Sequence, residues 1–367
     1  MKNCSKNLTE RIRDPKRILL SLPLLREKLS GKPHDLTVQN IELQLTGSVT
    51  CNVHCWYCST RRWGSGKNQT RSFFEIANLK KLKIFHPRAI VLSGGEPTLY
   101  QPNKQFGFNE AIKTIANDLP RTKFGLLTNG TAIPKGNWMN YFEWIRISLD
   151  AGRSDVYFKI KGVDYYNQVL ANFSRYLATS IPYVGLGFVY QKENIETIFD
   201  LVYQIYRQYF GSSQNRITIQ FRPIIYYADH LPTMPQLSKL KQKLEAVNNN
   251  KFQYFCANNT NIDSLFTFFK KRAKPNFKHC YLCRVHKAIN SNGDIFPCCL
   301  SFKNKQYCLG NLKHNSISEI IQKETEFFLK SPCRRDCRLN RKNEYLETKI
   351  NRQEKIDPSQ FICPYFF

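Results

Sequence analysis

No apolar run in this sequence approaches the roughly 18–20 consecutive residues that cross a bilayer as a helix, so no membrane partner is expected. The N-terminus, Met1 to Arg13, is polar and charged and lacks the apolar core of a signal peptide. A cytoplasmic location is the expectation that follows. Internal repeats and long low-complexity segments are missing too, which argues against a repeat array or a disordered chain. Acidic residues are scarce, 28 against 55 Lys and Arg, and the formal net charge is +27. That balance favours anionic partners: nucleic acid, an acidic peptide, a phosphorylated substrate or an anionic surface. The basic residues are scattered with no block of five or six, however, so many read equally as a solvated surface.

What is present is a globular chain. Hydrophobic residues make up 42% of 367, enough for one large domain and a smaller one. Thirteen cysteines are many for a reducing compartment, where clustered thiols read first as metal ligands rather than disulfides. The seven histidines show no paired spacing and read as structural or surface residues.

Residues 1–36 form a basic lead-in, with a helix expected from Pro15 to Leu29. Between 37 and 228 short apolar runs alternate with longer amphipathic stretches. The expected strands are Ile41–Leu45, Ala89–Ser93, Phe124–Thr128, Trp144–Leu149, Val184–Tyr190 and Ile217–Arg222, rich in Ile, Val, Leu and Phe as strands buried on both faces are. Ser72 is placed to cap a helix carrying Phe73, Phe74, Ile76 and Leu79, and Glu193 to Phe210 shows one apolar stripe. Strand–helix alternation implies parallel strands with right-handed crossovers, and six such units make a partial or full β/α barrel. Residues 229–279 read as a helical connector, with helices at Leu237–Val247 and Ile262–Arg272. Eight of the thirteen cysteines lie from Cys280 to Cys363, so 280–367 reads as a separate metal-stabilised module.

Cys51, Cys55 and Cys58 follow directly after the first strand, on the loop Cys-Asn-Val-His-Cys-Trp-Tyr-Cys. Three thiolates on one short loop can hold three irons of a cubane, and the lack of a fourth nearby cysteine leaves one iron open for a ligand. A zinc site is the competing reading, but zinc needs a fourth ligand, and His54 sits awkwardly between two of the thiols. Ser93-Gly94-Gly95-Glu96-Pro97 follows the second strand, where the glycines let backbone approach a ligand and Glu96 offers an acceptor for an ammonium group.

Together these two motifs resemble the radical S-adenosylmethionine (SAM) superfamily, whose pattern is CxxxCx(aromatic)C followed by GGEP. The resemblance implies an α/β fold with a partial (β/α)6 barrel of radical SAM type. It also implies a catalytic [4Fe–4S] cluster on Cys51, Cys55 and Cys58, and SAM as the ligand of the open iron. Tyr57 matches the aromatic position beside the adenine, and Glu96 the acceptor for the methionyl amino group. Thr128-Asn129-Gly130 resembles the turn after the third strand. Ser148-Leu149-Asp150-Ala151 resembles the motif of the fourth strand, where Ser148 and a later basic residue contact the ribose or carboxylate of SAM. That basic residue is usually arginine; here it is Lys161, a non-bidentate partner.

Downstream, Cys283 is followed by nine residues, Gly293, four residues and Cys298, a spacing that suits a β-hairpin turning at Asn292-Gly293. With Cys333-Arg-Arg-Asp-Cys337 this order resembles the SPASM/twitch extension of radical SAM enzymes, a small Cys-rich α+β module holding auxiliary [4Fe–4S] clusters. The fuller cysteine string of a complete SPASM module is missing. The resemblance therefore implies one auxiliary cluster on Cys283, Cys298, Cys333 and Cys337, with Cys280, Cys299, Cys308 and Cys363 as replacements or second-cluster ligands. Cys4 and Cys256 read as ordinary thiols. The implied activity is reductive cleavage of SAM to a 5′-deoxyadenosyl radical that abstracts hydrogen from a substrate, with a flavodoxin or ferredoxin as electron donor. The substrate expected is a peptide, a protein or a small molecule. Too few residues precede the barrel for a peptide-recognition domain of ordinary size, so a peptide would dock on the barrel, on the auxiliary module over the barrel's open end, or on a partner. A radical SAM enzyme acting on nucleic acid and a non-catalytic zinc or nucleic-acid-binding protein are the alternatives.

Overall fold

Six of the apolar runs form parallel strands: β1 (Asn40–Thr46), β2 (Ala89–Gly94), β3 (Lys123–Thr128), β4 (Phe142–Ser148), β5 (Tyr183–Tyr190) and β6 (Ile217–Pro223). Each overlaps its expected position, with ends moved by at most two residues. A computed structural model of the chain describes residues 36–58, 72–224, 227–267, 277–302, 304–330, 343–344 and 346–348. The expected helix over Pro15–Leu29 and Cys4, Cys333, Cys337 and Cys363 lie outside the described residues.

Each strand pairs in parallel with the next, and among the described residues β6 does not return to β1, so the barrel is open. Parallel neighbours need crossovers. These are supplied by α1 (Phe108–Asp118), α2 (Ser154–Lys161), α3 (Tyr166–Leu177) and α4 (Ile198–Tyr209), while β3 and β4 are joined by a loop with one 3-10 turn, Trp138–Tyr141. Alternation along the strands sorts their side chains. Ile41, Leu43 and Leu45 of β1, Ile145 and Ile147 of β4, and Ile217, Ile219 and Phe221 of β6 are buried in the core shared with the helices. Each such side chain contributes about 1.5–3 kcal/mol.

The opposite, inner face is more polar than strands buried on both sides would suggest. It carries Asn40, Glu42 and Thr46 on β1, Ser93 on β2, Arg146 on β4, and Thr218 and Gln220 on β6, all buried. Ser93 donates to Glu42 at 3.1 Å and Arg146 donates to Gln220. Below them Trp144 packs with Val91 as a small apolar group of its own, flanked by Leu127 and Tyr183. Gly125 makes room for it: a Cβ there would lie 2.1 Å from the indole ring.

The C-terminal segment continues this sheet. β7 (His286–Ile289) pairs in parallel with β1, β8 (Asp294–Phe296) turns back on β7, and β9 (Gly310–Asn311) follows β8. Gly293 supplies the left-handed residue of the hairpin turn at φ +84. His286 is held to Asn40 at 2.7 Å across the new edge. α5 (Met234–Glu245), α6 (Asn250–Asn259) and α7 (Ile317–Lys330) are the remaining helices of eight or more residues among the described ones.

Two local expectations change. Ser72 caps no helix: Phe74 donates to the Leu45 carbonyl and Phe73 bridges Thr46, so the segment runs extended along β1 and the helix starts only at Ile76. Phe73 and Phe74 fit this pleated, half-buried edge better than a first helical turn. The helix expected from Glu193 is a 3-10 turn over Ile195–Thr197 before α4, because the Asn194 side chain binds the Gln191 amide and the Asp150 and Val189 carbonyls. α6 had no sequence expectation of its own within the helical connector; Asn249 caps it through the amides of Lys251 and Phe252, inside an Asn-rich stretch. Of the helix expected over Ile262–Arg272, Asp263–Thr267 is helical, and residues 268–272 lie outside the described set.

The packing of Trp144 makes a definite demand. Gly125→Ala is expected to destabilise the protein by about 1–3 kcal/mol, because a methyl must displace a fully buried indole. A urea midpoint equal to that of the wild type would show that Trp144 does not occupy this place.

Candidate active site

Four strand ends converge at the C-terminal edge of the barrel, and the loop of Cys51, Cys55 and Cys58 is built on the first of them. Its backbone is fixed from the side: the amides of His54 and Trp56 donate to the carbonyls of Lys161 and Ile160 at the end of α2, and Cys58 donates to Cys55. All three residues are partly exposed. They are close enough for Cys51 and Cys58 to act electrostatically on Cys55. Burial pushes the Cys51 thiol up and the Cys55 thiol to about 11, with Lys161 pulling Cys55 the other way. Among the described residues no three His, Cys, Asp or Glu side chains converge as ligands of one metal ion. Three thiols spread along one loop fit separate irons of a cubane better than a single zinc.

The chain itself requires the two glycines of the next turn. Gly94 has φ +129, and a Cβ on it would lie 2.3 Å from the Thr46 carbonyl oxygen; one on Gly95 would lie 2.3 Å from the Gly47 oxygen. The amides of Gly95 and Glu96 donate to the carbonyls of Thr46 and Thr50, so this turn is laced to the root of the cysteine loop. Glu96 is 1% exposed. Its Oε1 accepts from the Thr98 amide at 3.1 Å and from the hydroxyls of Thr98 and Thr128 at 2.6 and 2.7 Å, and its Oε2 accepts from the Asn129 amide at 2.6 Å. Burial nonetheless holds the carboxyl above its ordinary range, against the pull of these bonds.

Asn129 carries the connection back to the cysteines. Its Nδ2 lies 3.7 Å from Cys51 Sγ and 2.8 Å from Asn52 Oδ1, while its Oδ1 accepts from the Thr131 amide and hydroxyl. Asn52 and Thr131 were not singled out in the sequence; an Asn within the cysteine loop and a Thr two residues past Asn129 were the available signal.

Asp150, which the fourth-strand motif contains without assigning it a role, is the other anchor of the site. It has φ +58 and is 1% exposed, just past Ser148, which is itself partly exposed at the end of β4. Its Oδ2 accepts from the Tyr57 hydroxyl at 2.6 Å and from the Lys161 ammonium, and its Oδ1 accepts from the Val189 amide at 2.6 Å. Burial acts to raise this carboxyl, but the Lys161 charge and the hydrogen bonds win and hold it below the ordinary range. Lys161 is 2% exposed, paired with Asp150, and 6.0 Å from the Tyr57 ring centre. Its ammonium is therefore engaged by a carboxylate of the chain itself. Trp56 packs against His230 and Tyr227, with ring centres 4.4 and 5.2 Å away.

Of the expected auxiliary ligands, Cys283 and Cys298 stand at the two ends of the β7–β8 hairpin. Register places them level with the N-terminal end of β1, while the hairpin tip reaches the C-terminal end, where Ser291 meets Ser72 at 3.2 Å. At about 3.3 Å per residue, the length of β1 puts roughly 20 Å between the two groups of cysteines. These cysteines thus sit at the opposite end of β1 from the first loop, not over the barrel's open end. Cys280 adjoins Cys283. Its thiol is drawn down to about 7 by the hydrogen bond with Cys283, against burial, and burial pushes Cys283 up.

An open parallel barrel, a three-cysteine loop after β1 and a glycine turn after β2 laced to it define a radical SAM protein. Comparison agrees: the Radical SAM superfamily model matches residues 45–202, and the SPASM model, an iron-sulfur cluster-binding domain, matches 280–340. The chain carries a radical SAM domain over residues 45–202 and a SPASM domain over 280–340. It is 27% identical over 169 residues to a "Probable GTP 3',8-cyclase" of Saccharolobus islandicus, covering 44% of this chain and 51% of that protein. It is 25% identical over 158 residues to a GTP 3',8-cyclase of Vibrio atlanticus, covering 41% and 46%. The chain thus spans about half the length of the curated relatives it matches. Among solved structures it resembles native anSMEcpe with bound AdoMet, with TM-score 0.57 and 18% identity, covering 79% of this chain and 82% of that one. It also resembles Streptococcus suis SuiB bound to S-adenosylmethionine, with TM-score 0.54 and 15% identity, covering 90% and 76%. Among the described residues no helix is long and apolar enough to cross a membrane.

Two measurements test this geometry. Asp150→Ala is expected to cost about 3–5 kcal/mol, because it strands the buried Lys161 charge, and adding Lys161→Met should recover part of the loss. The folded carboxyl lies below its unfolded value of about 3.9. Its contribution is therefore complete above that value and is lost as pH falls through the folded one. An Asp150→Ala protein as stable as the wild type overturns the pairing. Glu96→Ala removes the acceptor of four bonds, each unsatisfied buried donor costing about 1–3 kcal/mol. The melting temperature without SAM should fall; an unchanged one, with weakened SAM binding, would make Glu96 a ligand contact instead.

Proposed function

We propose that the protein cleaves SAM reductively at a [4Fe–4S] cluster held by Cys51, Cys55 and Cys58 and abstracts hydrogen from a peptide or small-molecule substrate. The observation that carries this is the lacing of the cysteine loop to the Gly94-Gly95-Glu96 turn and to Asn129. A structural zinc loop has no need of that construction. When bound, the cluster supplies the electron that splits SAM into methionine and the 5′-deoxyadenosyl radical. The chain's residues position and shield. Asn129 directs its amide at Cys51, and Asp150 fixes Tyr57 through its hydroxyl so that the ring flanks the loop. Glu96 holds the second and third turns together, and with Gly94, Gly95, Ser148 and Lys161 it borders the space for SAM. The substrate enters the polar inner face of the barrel, where Glu42, Arg146 and Gln220 offer charge and hydrogen bonds.

The division into a barrel over 37–228, a connector over 229–279 and an auxiliary module over 280–367 follows the same reading. The auxiliary [4Fe–4S] cluster belongs on Cys283, Cys298, Cys333 and Cys337. The peptide reading draws on SuiB bound to precursor peptide SuiA, with TM-score 0.54, and the small-molecule reading on the GTP cyclases. The +27 charge suits an acidic substrate and an acidic electron donor such as a flavodoxin or ferredoxin.

Purified without oxygen, the protein should contain about eight iron atoms, four on each of two clusters, and form 5′-deoxyadenosine from SAM when reduced. Replacing Cys51, Cys55 and Cys58 together by Ala should abolish that product and leave the iron of the second cluster. Product formation by the triple variant would remove these cysteines from the mechanism.

A further inference from the structure

Cys283, a ligand in the reading above, abuts three buried charged side chains that neither the barrel chemistry nor the cysteine count requires. Lys287 is fully buried, donates to the Cys283 carbonyl and to the His286 carbonyl at 3.2 Å, and pairs with Glu324 at 2.8 Å. Arg284, also fully buried, reaches Glu324 and the Thr325 hydroxyl at 3.3 Å each, and its guanidinium lies 4.5 Å over the Phe328 ring. Glu324 is 2% exposed on the inner side of α7. Both Lys287 and Glu324 act electrostatically on Cys283. The other buried carboxylate of this region, Glu347, accepts from the amides of Lys278 and His279 and stands apart from the triad.

Packing α7 on β7 would be served by apolar residues at least as well, since burying charges costs desolvation that their pairing seldom exceeds. Two cations share one carboxylate, so the triad leaves positive charge buried beside a thiolate ligand. An iron–sulfur cluster gains negative charge on reduction, and its potential follows net charge, hydrogen bonding and exposure. A buried ammonium stabilises the reduced form, a buried carboxylate opposes it, and little water is present to screen either.

We propose that Lys287 and Glu324 set the reduction potential of the auxiliary cluster at Cys283, Lys287 raising it and Glu324 lowering it. This rests on the auxiliary-cluster reading. The full chain with Cys51, Cys55 and Cys58 replaced by Ala, so that only the second cluster remains, is titrated under EPR. Lys287→Met should lower the potential by at least tenfold in the reduction equilibrium, about 59 mV for one electron. Glu324→Gln should raise it by a similar factor, and Lys287→Arg, which keeps the charge, should leave it in place. Opposite signs are the signature, because loosened packing would move both variants the same way. If one variant does not fold, Lys287→Gln or Glu324→Met takes its place, and the two shifts must still oppose. Potentials that stay put, or that move together, overturn the inference. A wild-type iron content near four atoms overturns the auxiliary-cluster reading and this inference with it, before any potential is measured. A content near eight with unmoved potentials overturns this inference alone.

Discussion

The buried carboxylate of Asp150 is the constraint on which the site depends. It sits at a left-handed backbone position where β4 ends, and three separate elements meet on its two oxygens: Tyr57 from the cysteine loop, Lys161 from the end of α2, and the amide of Val189 on β5. The loop itself is fastened through the carbonyls of Ile160 and Lys161, the residues that end α2. One charge pair thus fixes both the side-chain and the main-chain anchors of Cys55. Because Asp150 is held ionised by Lys161 against a burial that would neutralise it, either partner alone is a liability, and the two together fix the loop's position relative to the barrel.

Glu96 plays the matching part on the other side. In the sequence it reads as an acceptor for a ligand's ammonium group, yet all four of its close contacts are donors from the chain. Gly94 and Gly95 read as glycines that let a ligand approach, but the nearest obstacles to a Cβ are the carbonyls of Thr46, Gly47 and Thr50. Motif and geometry agree about where the residues lie and differ about what first requires them. The chain's own packing and hydrogen bonds shape this turn. Such preorganisation lowers the ordering cost of binding.

The strands were legible because burial leaves its mark within each segment: short runs rich in Ile, Leu, Val and Phe read the same in any context. The cysteine triplet and the two turns were legible because their chemistry is local. What stayed hidden depends on partners distant in sequence. The fourth-strand motif contains Asp150 and Lys161 reads as a contact to SAM, but only the fold pairs the two, and Asn52 reaches Thr131 across 79 positions. Ser72 looks like a helix cap because capping is a local signal, but the pairing of residues 72–74 with the end of β1 overrides it. α6 was missed for the reverse reason: Asn249 is a cap, surrounded by asparagines that disguise it.

The C-terminal cysteines show how far spacing carries an argument. Their intervals name a hairpin, and the hairpin is present, but nothing in the intervals says that it continues the barrel's sheet through β1. That pairing decides the geometry. Because β7 runs parallel to β1, Cys283 falls at the end of the sheet away from Cys51, and the polar inner face of the barrel runs along the strands between the two levels. The burial of Lys287, Arg284 and Glu324 at the far end is costly for a hairpin whose work is only structural. It is intelligible for one whose cysteines must hold a charge that changes.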